Sequence, residues 1–243
     1  MSEPVRRQLA GAAELAAALD AGEPVRLVLH AREPKDPASQ AVLERARAAG
    51  IPLRETSAQS LWRLGKCSPA PELIAVIGPD PASAPEASLA GAGVAWLLVG
   101  VLYPGNAGFA IRLAEVSGAA CVFVDAGFAH EGKREALRAS IRADRFFPVH
   151  WATALGTVAL AKQAGRRVLA VEDVGTAAPW ETDLTGRLLL VVGGERGGIP
   201  RDVLAACDGV VRIPMRGFIP SYNLQAAMAI VAGERLRQLG ASD

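Results

Sequence analysis

Apolar residues fall into short blocks separated by stretches with helical spacing. Val25-Arg26-Leu27-Val28-Leu29 predicts a strand, Ser39 to Ala49 a helix ending at Gly50, and Ile51 to Glu55 a second strand. A short helix is predicted over Leu61 to Leu64 and a strand over Leu73 to Ile77. Pro79-Asp80-Pro81-Ala82-Ser83-Ala84-Pro85 follows, where closely spaced prolines deny the chain regular hydrogen bonding. The expected organisation is a small domain over 1–80, a proline-rich linker over 81–90 and a larger domain over 91–243. In the larger domain, strands are predicted at Val94 to Val101, Cys121 to Asp125, Val168 to Val171 and Leu188 to Val192. Helices are predicted at Gly108 to Gly118, Lys133 to Ala143, Thr153 to Gly165 and Leu224 to Leu239. Such alternation implies an α/β fold with a parallel sheet, and ligands bind such sheets at the C-terminal strand ends. Asn106 and Glu195 both fall at such ends.

A chain of 243 residues, 51% hydrophobic, has ample material for a core, and its net charge of +1 leaves any contact with nucleic acid to local patches. Cys67, Cys121 and Cys207 lie far apart without a C-x-x-C pair, which argues against a disulfide framework or zinc site and fits a reducing cytoplasm. His30, His130 and His150 are isolated and no H-E-x-x-H pattern occurs, so no metal is expected. The start, Met1 to Arg7, is not followed by an apolar signal core, and the longest apolar run, Val94 to Tyr103, is roughly half of a bilayer span. A soluble cytoplasmic protein without a membrane partner is the expectation.

Three segments carry candidate chemistry. Asn106-Ala107-Gly108 is followed by Arg112 between a strand and a helix. Gly193-Gly194-Glu195-Arg196-Gly197-Gly198 follows an apolar strand. Arg212-Ile213-Pro214-Met215-Arg216-Gly217 then leads to Ser221-Tyr222-Asn223 at the start of an Ala-rich helix. In order and spacing, over roughly residues 95 to 240, they resemble the motifs of the SpoU/TrmH family (SPOUT superfamily) of RNA ribose 2'-O-methyltransferases: N-x-G-x-x-x-R, then G-x-E-x-x-G, then I-P-M-x-G with S-L-N. The resemblance implies a deep trefoil knot in the last part of the chain and S-adenosylmethionine as cofactor. It also implies a homodimer with the active site near the subunit interface. Asn106, Arg112, Glu195, Ser221 and Asn223 take the catalytic positions. Gly193, Gly194, Gly198, Ile213, Met215, Tyr222, Asn223 and Leu224 take the cofactor-binding ones. The first unit is similar to the ribosomal-protein-like substrate domain of many relatives, which favours ribosomal over transfer RNA. A 2'-hydroxyl requirement excludes DNA.

Each residue also has a plainer reading. The glycine segment could be a steric turn; it is neither a Walker loop nor a dinucleotide fingerprint. Glu195 could simply accept loop N–H groups, and Ser221 and Asn223 could be N-caps. The resemblance assigns Arg112 to activating the 2'-hydroxyl. A guanidinium pKa above about 12 leaves almost no neutral form, so orienting the hydroxyl and its phosphate is the alternative role. Tyr222 and Gln225 stand where relatives more often have Leu and Ser. Arg134, Arg138 and Arg142, with Arg145 three further on, predict a basic helical stripe that is either a solvated face or an RNA phosphate track. Trp62, Arg63 and Lys66 form a second RNA candidate, with a half-buried core tryptophan as the alternative. The rival functions are a transfer-RNA methyltransferase, a non-catalytic RNA-binding relative and a nucleotide-binding oxidoreductase.

Overall fold

The computed structural model describes residues 6–219 and 221–240; residues 1–5, 220 and 241–243, within the expected domains and the Met1 to Arg7 start, lie outside it. The chain divides into two compact units between Asp80 and Pro81.

The first unit runs β1 (Arg7–Ala10), α1 (Ala12–Asp20), β2 (Val25–His30), α2 (Pro37–Ala48), β3 (Leu53–Glu55), α3 (Ala58–Gly65) and β4 (Leu73–Ile77). Its sheet has the order β1-β4-β2-β3, with β2 and β3 parallel and β4 antiparallel to both neighbours. Helix α2 starts where Asp36 accepts from the Ala38 and Ser39 N–H groups and Pro37 presets the first turn. The apolar residues of α1, α2 and the strands, among them Leu15, Val28, Val42 and Leu73, form one core. Trp62 corrects the expectation of a core tryptophan. It is 55% exposed, because Leu61 is the buried residue of α3, and Arg63 and Lys66 are exposed beside it.

The second unit begins with α4 (Pro85–Ala90), inside the expected linker. Pro85 occupies the first turn, which tolerates the missing N–H, and Leu89 is fully buried. The buried Arg166 guanidinium donates to the carbonyls of Leu89, Gly91 and Gly93 at 2.6–2.8 Å and so fastens this segment to the sheet. The 85–90 stretch is therefore part of the fold and not linker.

Next come β5 (Val94–Val99), α5 (Pro104–Val116), β6 (Cys121–Asp125), α6 (His130–Ala139), β7 (Val149–Trp151), α7 (Ala154–Gln163), β8 (Arg167–Val171), β9 (Leu188–Gly193), α8 (Arg201–Ala205), β10 (Gly209–Val211) and α9 (Leu224–Gln238). The six strands are all parallel, in the order β10-β8-β9-β5-β6-β7. Alternate residues of β5 feed two cores: Trp96 and Leu98 on the face covered by α5 and α9, and Ala95, Leu97 and Val99 on the face covered by α7. Burial on both faces explains why β5 and β9 are continuous apolar runs.

Two helical expectations change. Asn106 lies in the first turn of α5, which starts at Pro104, rather than at a strand end. Helix α6 stops at Ala139, and Ile141 and Arg142 adopt left-handed backbone, with φ of 56° and 59°. Arg142 and Arg145 therefore do not extend the stripe begun by Arg134 and Arg138. Arg134 and Arg138 are ion-paired with Glu131, and Arg142 with Asp144.

Gly108 is where α5 crosses α6. A Cβ there would lie 2.4 Å from the Ala136 carbonyl oxygen and 2.5 Å from the Ala139 methyl, whereas Gly105 on the same helix has open space. Gly108→Ala is expected to cost about 1–3 kcal/mol of stability by forcing the helices apart. Gly105→Ala is expected to add about 0.5–1 kcal/mol. Urea midpoints at constant slope measure both.

Candidate functional site

The loops after β5, β8 and β9 leave the same end of the sheet with main chain pressed against main chain. A Cβ on Gly194 would sit 2.2 Å from the Gly100 carbonyl oxygen, and one on Gly193 would sit 2.4 Å from the Gly198 carbonyl carbon. Gly198 has a φ of +60°, and its Cβ would meet the Glu172 carboxylate at 2.6 Å. Glycine is required at 193 and 194 by the close approach, and at 198 by both backbone and space.

A cavity of about 290 Å³ opens here, near the lower end of the ~300–1,000 Å³ usual for small-molecule sites. Of the sequence candidates, Gly193, Gly194, Glu195, Gly198, Ile213, Met215, Ser221, Tyr222 and Leu224 line it. Asn106, Arg112 and Asn223 do not. With Gly197, four of the lining residues are glycines, which can offer only main-chain atoms. Val171, Val192, Ile213, Met215, Leu224 and Ala227 give the remaining wall its apolar character, and Tyr222 donates its hydroxyl to the Pro214 carbonyl at 3.5 Å.

Val171, Glu172 and Asp173 also line the cavity and were not among the sequence candidates. They stand at the C-terminal end of β8, so the rule that placed ligands at such ends could have found them. Glu172 accepts from the Ile199 N–H at 3.0 Å, which ties the loop after β8 to the one after β9.

Glu195 connects the glycine segment to the Asn106 segment. One carboxylate oxygen accepts the Leu102 N–H at 3.0 Å and the other accepts the Asn106 side-chain amide at 2.5 Å. The Gln225 side-chain amide donates to the Asn106 side-chain oxygen at 3.2 Å. One chain of bonds thus runs Glu195–Asn106–Gln225 across the glycine loop, α5 and α9. Partial burial pushes the Glu195 carboxyl up, but hydrogen bonds from the Leu102 N–H, the Asn106 amide and its own backbone N–H together outweigh it and hold the group below its ordinary range.

Asn223 is the N-cap of α9, its side chain accepting from the Ala226 N–H at 3.0 Å. Arg112 is exposed on α5, and its side chain has no hydrogen bond or ion pair among the described residues. No group of three or more His, Cys, Asp or Glu suited to a metal ion occurs among the described residues.

Residues 94–233 match the SpoU rRNA Methylase family. The chain is 34% identical over 145 residues to a protein named 23S rRNA (guanosine-2'-O-)-methyltransferase RlmB from Burkholderia sp, and the alignment spans only 58% of either chain. It is 31% identical over 232 residues to the protein of the same name from Xanthomonas axonopodis pv. citri, covering 89% of this chain and 90% of the relative. Among solved structures, it shares its fold with an AdoMet-bound rRNA methyltransferase from Sinorhizobium meliloti. That match has a TM-score of 0.60 and 22% identity, over 96% of this chain and 88% of the other.

A carboxylate whose folded pKa lies below its unfolded value stabilises the fold fully at neutral pH, and the contribution is lost as pH falls through the folded value. Glu195→Gln is therefore expected to lower the Tm at pH 7 and to have a shrinking effect on the acid side of the carboxylate range. Thermal unfolding from pH 7 to pH 3 measures this. A Tm difference that is constant across that range would count against Glu195 as the titrating tie.

Proposed function

The chain belongs to the SpoU rRNA methylase family, and on that premise we propose that it transfers a methyl group from S-adenosylmethionine to a ribose 2'-oxygen of RNA, with ribosomal RNA as its substrate. The observation that carries this reading is the convergence of the three motif segments: two of them line one cavity, and the third is bonded to Glu195 on its rim. The residues suit the cofactor. The glycine loop offers main-chain donors and acceptors for an adenine edge, and Ile213, Met215 and Leu224 offer apolar surface for its faces. The cofactor supplies an activated methyl group: a carbon–oxygen bond forms at the ribose as the carbon–sulfur bond breaks, its electron pair staying on sulfur, and the hydroxyl proton leaves.

The chain's own residues act by alignment. Glu195 fixes Asn106 and the start of α5, Ser221 faces the cavity, and Asn223 sets the first turn of α9. Arg112, free of any partner in the described chain, orients the 2'-hydroxyl and the adjacent phosphate. Among the described residues no helix is long and apolar enough to cross a membrane, which suits a cytoplasmic enzyme.

The last part of the chain forms the deep trefoil knot of the family. In support, the segment after β8 is bonded to the chain leading into α9 through Arg212 N–H to the Ala177 carbonyl, and to α9 itself through Leu184 N–H to the Gln238 side chain. The enzyme acts as a homodimer, for which the exposed Phe109 and Val116 of α5 offer an apolar face. The first unit contributes RNA binding through the exposed Trp62 and Arg63, and the connection between the units is the short stretch before Pro85.

The test is transfer of labelled methyl from S-adenosylmethionine to total RNA from a bacterial strain lacking the protein. Label is expected in ribosomal RNA at one alkali-resistant linkage. Arg112→Ala is expected to lower kcat by at least about 100-fold while S-adenosylhomocysteine binding, measured by calorimetry, is retained. Gly198→Ala is expected to lose that binding, because the left-handed backbone costs about 1–2 kcal/mol and the new methyl displaces Glu172 from the cavity wall. Label in transfer RNA instead would move the substrate class. Cofactor-product binding without any label would favour a non-catalytic relative or a substrate present only in an assembling ribosome.

A further inference from the structure

Sorting the basic residues of the second unit by their partners separates two populations. Lys162 is paired with Asp208, and Arg237 with Glu234. Arg134, Arg138 and Arg142 are ion-paired as described. Arg166, Arg167, Arg187 and Arg235 donate to backbone carbonyls, and Lys133 lies over the Trp151 ring. Arg145 is also engaged. Among the described residues of this unit, those without any such partner are Arg112, Arg196, Arg201, Arg212 and Arg216, and all are exposed. Every one lies on or beside the three motif segments.

Three of the five stand directly beside cavity-lining residues: Arg196 between Glu195 and Gly197, Arg212 before Ile213, and Arg216 after Met215. The same loop carries an aromatic residue that buries nothing. Phe218 is fully exposed and Ile219 is 76% exposed, between Met215 and Ser221, which both line the cavity. A fully solvated phenylalanine contributes nothing to the fold through burial.

We infer that this rim is the substrate-RNA contact: Arg196, Arg212 and Arg216 engage phosphates flanking the target nucleotide, and Phe218 stacks on a base unpaired at that site. This rests on the methyltransferase reading and names its substrate-contacting residues. It transfers the phosphate-binding role from Arg134, Arg138 and Arg142, which are ion-paired with Glu131 and Asp144, to arginines without an ion pair among the described residues. Single-stranded RNA is recognised by this pairing of phosphate-binding cations with aromatic platforms. A second copy of the chain fits the rim less well, because a two-fold interface built on it would set three guanidinium groups without an ion pair against their own copies, and like charges brought together oppose association.

The test measures binding of deproteinised 23S rRNA across a range of salt concentrations, together with steady-state methyl transfer. The triple variant Arg196→Gln/Arg212→Gln/Arg216→Gln is expected to weaken RNA binding at least about tenfold and to reduce the slope of log K against log salt by about 2–3, each phosphate contact contributing roughly 0.7–0.9. S-adenosylhomocysteine binding should not change. Arg134→Gln/Arg138→Gln should leave the slope at the wild-type value. Phe218→Ala is expected to raise KM for RNA about tenfold, in the range of one lost base stack, and Phe218→Trp to restore it. If the wild type methylates RNA while the rim variants keep wild-type slope and KM, the inference is overturned and the methyltransferase reading stands. If Phe218→Ala instead converts a dimer to a monomer in sedimentation, the rim is a subunit interface and the inference is likewise overturned. A wild type that neither binds nor methylates RNA removes both readings.

Discussion

The site depends on the close approach of main chain to main chain where the loops leave the C-terminal ends of β5, β8 and β9. A single added methyl at Gly194 would sit within 2.2 Å of the Gly100 carbonyl oxygen, and one at Gly175 within 2.8 Å of the Val210 carbonyl oxygen. The groups that would have to move are backbone atoms anchored in a sheet buried on both faces, so nothing flexible can absorb the displacement. What results is a cavity wall made of peptide groups. Such a wall presents donors and acceptors at fixed positions without the rotamer entropy of side chains.

Two carboxylates lock that arrangement. Glu172 joins the loop after β8 to Ile199, and Glu195 joins the glycine loop to Leu102 and Asn106. The Asn106 amide is fixed in orientation by its two neighbours: its nitrogen faces a carboxylate, and its oxygen faces the Gln225 amide. Flipping it would set two acceptors together and two donors together. Gln225, which departs from the commoner family residue, thus works as the third link of a chain that holds α9 against α5.

Much of this was legible in the sequence because the second unit obeys strong rules. Apolar runs of strand length separated by helical spacing gave β5, β6, β8 and β9, and glycines at unusual density marked the loop that cannot carry side chains. The misses have physical causes. Helix α1 is so rich in alanine that its polar face is nearly absent, and β1 buries a single residue, Leu9. Helix α4 was hidden by a run of prolines whose last member, Pro85, in fact sits in the first turn, where a helix tolerates it. Trp62 followed the general preference of tryptophan for burial, but on a helix of two turns its neighbour Leu61 had already taken the inward position. The basic stripe failed because a period of four residues describes a helix only while the helix lasts, and left-handed backbone at Ile141 and Arg142 ended it. The ion pairs of Arg134, Arg138, Arg142 and Arg237 are local, but the backbone carbonyls that engage Arg166, Arg187 and Arg235 come from distant segments, and local sequence does not name them.

Within the proposed reaction, the two charged groups most closely tied to the motifs divide the work in a way their chemistry dictates. The 2'-hydroxyl proton must leave as the carbon–oxygen bond forms. The Glu195 carboxylate is ill suited to receive it, because both of its oxygens already accept hydrogen bonds and its pKa is held below the ordinary range. Arg112 is ill suited for the opposite reason, since its guanidinium does not release a proton to become a base. A cation placed beside the hydroxyl nevertheless favours its ionised form, as an opposite charge favours any acid's conjugate base. Arg112 then stabilises the developing alkoxide and the proton passes to solvent, an electrostatic role that needs the guanidinium free of other partners before RNA arrives. Its exposure on α5 without an ion pair is the resting state that this role requires.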